Sequence, residues 1–303
     1  MKLTHPSLEG ADFALVHFKL RMVERSLFTA QLLLGMRAGL LKAARRLESV
    51  KGQPYADLVD PQVDFHEAHQ HQKPAPAFVL VPPAEIPLEV AAGSCAFLTF
   101  RLFGQGVQEL PRLIELMAEM GEYGVEAGLL RFTLECVESE DASGNRRLVW
   151  MEGEGDFAPA LIPLSWWLED FAAGRGETEM AVRFDTPARL MSHGKPLFQP
   201  GFGDVFPFML RRVTSMLYYY CQMRGSINAR RLVDLANGLE TTLSRLEWRD
   251  WKSVAGQETI GGVVGELAVS GPGLEDLWWA VALGSLLNIG KGAAFGAGRY
   301  AVI

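Results

Sequence analysis

The chain has 303 residues, 49% of them hydrophobic and 21% charged, with a net charge of −7. This length suggests two domains of ordinary size, each with a full apolar core, and the composition excludes a disordered protein and a uniformly basic one. Its three cysteines, Cys95, Cys136 and Cys221, lie far apart and form no CxxC pair, so neither a disulfide framework nor a cysteine zinc site is expected.

In chain order, residues 12–23 alternate as a strand, and Phe28, Leu32, Met36, Leu40 and Leu47 recur at helical spacing, which predicts an amphipathic helix over 28–47. A loop over 48–75 follows. Strands at 78–81 and 94–103 bracket a turn-rich stretch, a helix covers 107–121, and Leu130, Phe132, Leu134 and Cys136 alternate in a strand over 129–137. The order is βαββαβ. The polar cluster DASGN at 141–145 is read as a domain boundary, giving domains of 1–140 and 146–303.

Beyond it, strands at 147–151 and 178–185 flank a less regular stretch containing SWWLEDF. Helices follow at 204–221, with Pro207 in the first turn, and at 229–238, then strands at 243–251 and 263–269. Residues 274–288 form a helix apolar on nearly every side, hence buried, and a glycine-rich loop leads from it into a strand at 299–303. This half accommodates a second, elaborated βαββαβ unit. The longest apolar run, 277–289, is too short to span a bilayer, and MKLTHPSLEGADF has no apolar leader core, so a cytoplasmic location without a membrane partner is expected.

Charge is unevenly placed. Residues 14–51 carry eight cations, among them Lys42, Arg45 and Arg46, against Glu24 and Glu48. Residues 211–252 again carry eight, opening with Arg211 and Arg212, against Asp234, Glu240, Glu247 and Asp250. A glutamate-rich stretch from Glu109 to Asp156 separates them. Two basic stretches divided by an acidic one would confine a polyanion to one place. For any single cluster, an ordinary solvated helix face is the simpler account.

The loop LNIGKGAAFGAGRY places Gly290, Gly292, Gly296 and Gly298 around Lys291 and before Arg299. Glycines there free the backbone for positive φ and let a bulky partner approach its N–H groups. The spacing fits neither a P-loop, since five residues rather than four separate Gly284 from Gly290 and no hydroxyl follows the lysine, nor a dinucleotide fingerprint, which runs strand, glycines, helix. A helix C-cap needs one glycine. Four favour contact with a ligand, with Lys291 and Arg299 beside it.

The stretch GGVVGELAVSGPGLEDLWWAVALGSLLNIGKGAAFGAGRYAVI, with KPAPAFVLVPP and LTFRLFG before it, resembles the CRISPR-associated endoribonucleases of the RAMP superfamily that process precursor crRNA. The resemblance runs discontinuously over 54–303 and is strongest over 261–300. It implies an α+β fold of two tandem ferredoxin-like (RRM-like) domains, with the glycine-rich loop holding repeat RNA through Gly290, Gly292, Gly296 and Gly298, and Lys291 and Arg299 on phosphates. Lys42, Arg45, Arg46, Arg211 and Arg212 are the further candidate RNA contacts. The implied partners are CRISPR repeat RNA and other CRISPR effector subunits.

Such enzymes use no cofactor. The ribose 2′-OH attacks the adjacent phosphate, which requires one group to take its proton and another to protonate the leaving oxygen, work suited to histidine. DFHEAHQHQK supplies His66, His69 and His71, followed by Lys73, in the loop after the first helix; these are the catalytic candidates, on chemistry and position. The spacing HxxHxH also admits a zinc site, or a polar loop without chemistry. His193 with Lys195 is the second candidate, and His17, alternating onto a strand face, is structural. A non-catalytic subunit that holds the crRNA 3′ hairpin is the alternative function.

Overall fold

The computed structural model describes residues 5–62, 74–83, 88–125, 128–173, 178–225, 227–252 and 259–303. It divides into an N-terminal unit, residues 12–162 with 252–259, and a C-terminal unit, residues 163–251 and 260–303 with the first eleven.

In the N-terminal unit, β1 (Asp12–Met22) places Val16, Phe18, Leu20 and Met22 on one wholly buried face. A short β2 (Ser26–Phe28) leads to Thr29, whose side chain accepts from the Leu32 N–H at 3.1 Å and starts α1 (Ala30–Lys51). Gly52, at φ 67°, ends that helix, and the one-turn α2 (Ala56–Val59) follows. Then come β3 (Phe78–Val81), β4 (Leu88–Val90), which pairs with β2, and β5 (Cys95–Phe103). Next are α3 (Leu110–Tyr123), β6 (Phe132–Glu140) and β7 (Arg146–Met151). The main sheet has the order β3-β5-β1-β6-β7, with antiparallel pairing throughout. Without β7 this is the ferredoxin-like arrangement, in which each βαβ crossover skips one position and its helix covers one face. α1 and α3 pack side by side there, burying Leu32, Met36 and Leu40 against Leu113, Met117 and Met120.

The expected boundary at 141–145 is corrected. Asp141 accepts from the Ser143 and Asn145 N–H groups at 2.8 and 3.0 Å, which closes a tight turn, and the chain folds back as β7 along β6. DASGN is a hairpin turn inside the first unit. A two-residue β8 (Ile162–Pro163) stands where the chain passes to the second.

The C-terminal unit repeats the pattern. α4 (Leu164–Ala172) carries the SWWLEDF residues, with Trp167 stacked on Phe171 at 5.1 Å. β9 (Glu179–Ala188) is followed by a small hairpin, β10 (Met191–Ser192) and β11 (Lys195–Pro196), and by α5 (Phe202–Cys221) and α6 (Ala229–Gly238). Then come β12 (Glu240–Lys252), β13 (Thr259–Ser270), α7 (Trp278–Leu287) and β14 (Tyr300–Val302). The sheet order β12-β13-β9-β14 is again ferredoxin-like. The chain is therefore two ferredoxin-like units in tandem. α7 is buried nearly all round, as its sequence demands: Trp278, Trp279, Leu283 and Leu287 are all 3% exposed or less. Each such side chain contributes about 1.5–3 kcal/mol by leaving water. That burial anchors the segment preceding the glycine loop. Among the described residues, no helix is long and apolar enough to cross a membrane.

His17 is structural, as its alternation suggests. It is 4% exposed, with Nδ1 2.9 Å from the Thr99 hydroxyl and Nε2 3.0 Å from Glu140. A carboxylate only accepts, so Nε2–H donates to Glu140 and, in the neutral ring, Nδ1 accepts from Thr99. Burial, followed by the nearby Arg146 guanidinium, lowers its pKa below the usual 6.5, outweighing Glu140. The unfolded chain then takes up this proton first, and stability falls as pH drops below 6.5 toward the lower folded value. A His17→Gln variant is expected to show a flatter dependence of melting temperature on pH between 7 and 5.5 than the parent chain, measured by circular dichroism. An unchanged slope would remove His17 from the acid response.

Candidate functional site

The glycine loop is a closed turn rather than an open cradle. After α7, Asn288 and Gly290 take φ of 55° and 85°, Gly292 81°, Gly296 91° and Gly298 62°, with one 3₁₀ turn at Ala293–Phe295. Most of its backbone donors are used within the protein. Ile289 N–H donates to Gly298 O, Gly298 N–H to Pro187 O and Lys291 N–H to Arg189 O, at 3.0–3.1 Å. Phe295 N–H and Ala297 N–H both donate to Gly292 O, at 2.9 and 3.3 Å. The buried Asn288 holds Ala293 O through Nδ2 at 3.1 Å. Thr186 on β9 donates its hydroxyl to Gly296 O and accepts from Arg299 N–H, both at 2.8 Å.

Among the described residues, the N–H groups of Gly290 and Gly292, both half-buried, have no acceptor, as is also true of the buried Asn288 and Ala294; between the two glycines stands the exposed Lys291, which forms no ion pair there. Two amides and an ammonium within three residues are the groups from which an anion-binding corner can be built. Gly296 and Gly298, expected to face RNA, are buried instead. A Cβ on Gly298 would collide with the Ile289 carbonyl oxygen, and one on Gly290 would stand 2.6 Å from Arg189 O. These glycines are needed so that the loop can lie against β9 and its own start. Arg299 is half-buried and shares Asp185 with Arg183, at 3.9 and 2.9 Å.

The other cations sort by helix face. Arg211 is exposed, its guanidinium carbon 4.9 Å from the Phe208 ring centre. Arg212, one position and 100° further round α5, points inward. Its Nε donates to Leu287 O at the end of α7 at 3.3 Å, its Nη2 is closed off from solvent, and burial lowers its pKa to about 10. A cation on the last carbonyls of α7 suits the helix dipole. It is not placed to meet a phosphate, which corrects that expectation. On α1, Lys42 and Arg45 are exposed without ion pairs among the described residues, whereas Arg46 lies 3.4 Å over the Tyr123 ring.

His66, His69, His71 and Lys73 lie outside the described residues. His193 is exposed at the tip of the β10–β11 hairpin with φ 49°, beside Gly194 at 77°, and Ser192 Oγ is 3.1 Å from its Nδ1. Lys195 is exposed on the same hairpin. Two roles were not read from the sequence: Thr186, the hydroxyl that ties β9 to the loop, and Arg189, whose carbonyl holds Lys291. No motif marks either, because their function is to meet a loop about a hundred residues away.

Residues 182–300 match the family model of the CRISPR-associated endoribonuclease Cas6, a stretch that holds β9, the hairpin, α5–α7 and the glycine loop. This segment is similar to the Cas6 family. Residues 45–161 match a second model, described as an N-terminal domain. No curated protein matches the chain. Among solved structures, a partial Cas6-RT-Cas1–Cas2 complex superposes with a TM-score of 0.61 at 13% identity, covering 97% of this chain and 46% of that one. The chain thus spans less than half of that protein's length. A Cas6 product complex superposes at 0.55 and 16% identity, covering 96% and 100%. Thermus thermophilus Cas6 superposes at 0.52 and 15% identity, covering 97% and 99%. At these identities the structures show a shared fold, the tandem Cas6-like architecture.

The anion-binding corner gives a direct expectation. If Lys291 meets a phosphate, Lys291→Ala weakens RNA binding and lowers the slope of log K against log salt by about one. Filter binding at several salt concentrations measures it. An unchanged slope would mean that Lys291 meets no phosphate.

Proposed function

We propose that the chain binds the repeat RNA of a CRISPR precursor transcript and cleaves it without a metal ion, the 2′-OH attacking the adjacent phosphate to leave a 2′,3′-cyclic phosphate and a 5′-OH. The observation that carries this reading is the Cas6-family match over 182–300, which contains the corner at Gly290, Lys291 and Gly292. Phosphate recognition by backbone amides and a lysine positions an RNA without reading its sequence. Lys42, Arg45 and Arg211, exposed on their helices, are proposed as further phosphate contacts. For proton transfer the proposal keeps His66, His69 and His71 with Lys73, and after them His193 with Lys195. Catalysis in the cytoplasm alongside other CRISPR subunits belongs to the same reading.

One observation favours a second reading, a subunit that holds crRNA without cutting it. α1 contains no histidine, and the histidine nearest to it in sequence, His17, is buried and doubly hydrogen-bonded. Incubation of repeat transcripts with the protein in EDTA separates the two. Products ending in 2′,3′-cyclic phosphate are expected. Tight binding with intact RNA would establish the holding role instead.

A further inference from the structure

Phe198, just beyond the β10–β11 hairpin, is 56% exposed, yet it is braced. Its ring centre lies 4.5 Å from that of Trp248 on β12, the planes at 49°. Trp248 is fixed in turn: its Nε1–H donates to Asp250 at 2.8 Å, and its ring lies over Gly261, where a Cβ would stand 2.6 Å from the nearest ring carbon. Gly261 adjoins Ile260, whose Cδ1 reaches the far side of the glycine loop, 3.0 Å from the place of a Cβ on Gly292. The aromatic pair is therefore continuous, through two residues of β13, with the corner that holds Lys291.

The charges nearby suit a polyanion. Lys195, three residues before Phe198, and Lys291 are exposed and without ion pairs among the described residues. The acids of β12 nearest Trp248 are engaged, Asp250 by Trp248 and Glu247 by Arg249. A braced, exposed ring is the arrangement on which nucleobases stack, because every base offers a π-face whatever its sequence. We propose that Phe198, backed by Trp248, is the stacking platform for one unpaired nucleotide of the RNA whose phosphate sits at Lys291. This rests on the RNA-binding reading of the loop.

The experiment is a binding titration with the repeat RNA of the host's own array and with a set of the same RNA carrying one abasic ribose at each unpaired position in turn. Phe198→Ala is expected to bind the intact RNA about 5- to 100-fold more weakly, the range for loss of one base–aromatic stack. One abasic position should weaken the parent protein to a similar extent and leave Phe198→Ala unaffected, and Phe198→Tyr should restore binding. If Phe198→Ala fails to fold, Phe198→Leu, which keeps bulk but cannot stack, takes its place. Equal affinities of parent and variant for intact RNA would overturn the platform while leaving RNA binding standing. A parent protein that binds no repeat RNA would overturn both.

Discussion

Gly298→Ala is expected to lower the melting temperature of the protein by roughly 6–12 °C, the consequence of losing about 3 kcal/mol in a domain of this size. Two costs add. Gly298 has φ 62°, where a side chain costs of order 1–3 kcal/mol, and its new Cβ would meet the Ile289 carbonyl oxygen. The loop would have to move away from β9, breaking Gly298 N–H to Pro187 O and the paired bonds of Thr186. Gly292→Ala is the internal control. It shares the positive φ, but its nearest neighbours are side-chain ends, Ile260 Cδ1 at 3.0 Å and Ala297 Cβ at 3.3 Å, and the former can shift. It should cost only about 1–2 kcal/mol. Thermal melts of both variants check the ordering. A Gly298→Ala protein that melts like the parent but no longer binds RNA would restore this glycine to the ligand-contact role expected from the sequence.

The largest effect on activity is expected in the stretch after α2. Alanine at His66, His69 and His71, one at a time, should lower the single-turnover cleavage rate by about 10²- to 10⁴-fold at one of the three, the usual contribution of a positioned general acid or base, with RNA affinity little changed. A loss of affinity with the rate at saturation preserved would mark a binding segment. Three variants that cleave like the parent would move the search to His193 and Lys195, which stand exposed on one hairpin.

The fold was legible because its signals are local. Alternation in β1 and β6 and the apolar wrapping of α7 are set by short-range periodicity, and each element lies within a few residues of its expected place. What stayed illegible depends on distant partners. A polar turn such as DASGN looks alike whether it ends a domain or a strand, and only the pairing of β7 with β6 decides. Arg211 and Arg212 read as one basic pair, yet adjacent positions on a helix differ by 100°, so one meets solvent and the other the end of α7. The four glycines stand out in the sequence, but their division into two buried positions, Gly296 and Gly298, and two half-buried ones, Gly290 and Gly292, rests on Pro187, Arg189 and Thr186, which no spacing rule connects to them.

The central claim is that this chain cuts RNA with the substrate's own 2′-OH. A repeat RNA with a single 2′-deoxy nucleotide at the cleavage site, compared with the all-ribose RNA in single-turnover assays and in binding titrations, tests it most directly. The account predicts equal affinity for the two RNAs and no cleavage of the deoxy substrate at that position. Cleavage of the deoxy RNA at the rate of the ribose RNA would contradict it, since the nucleophile would then have to be water or a protein side chain.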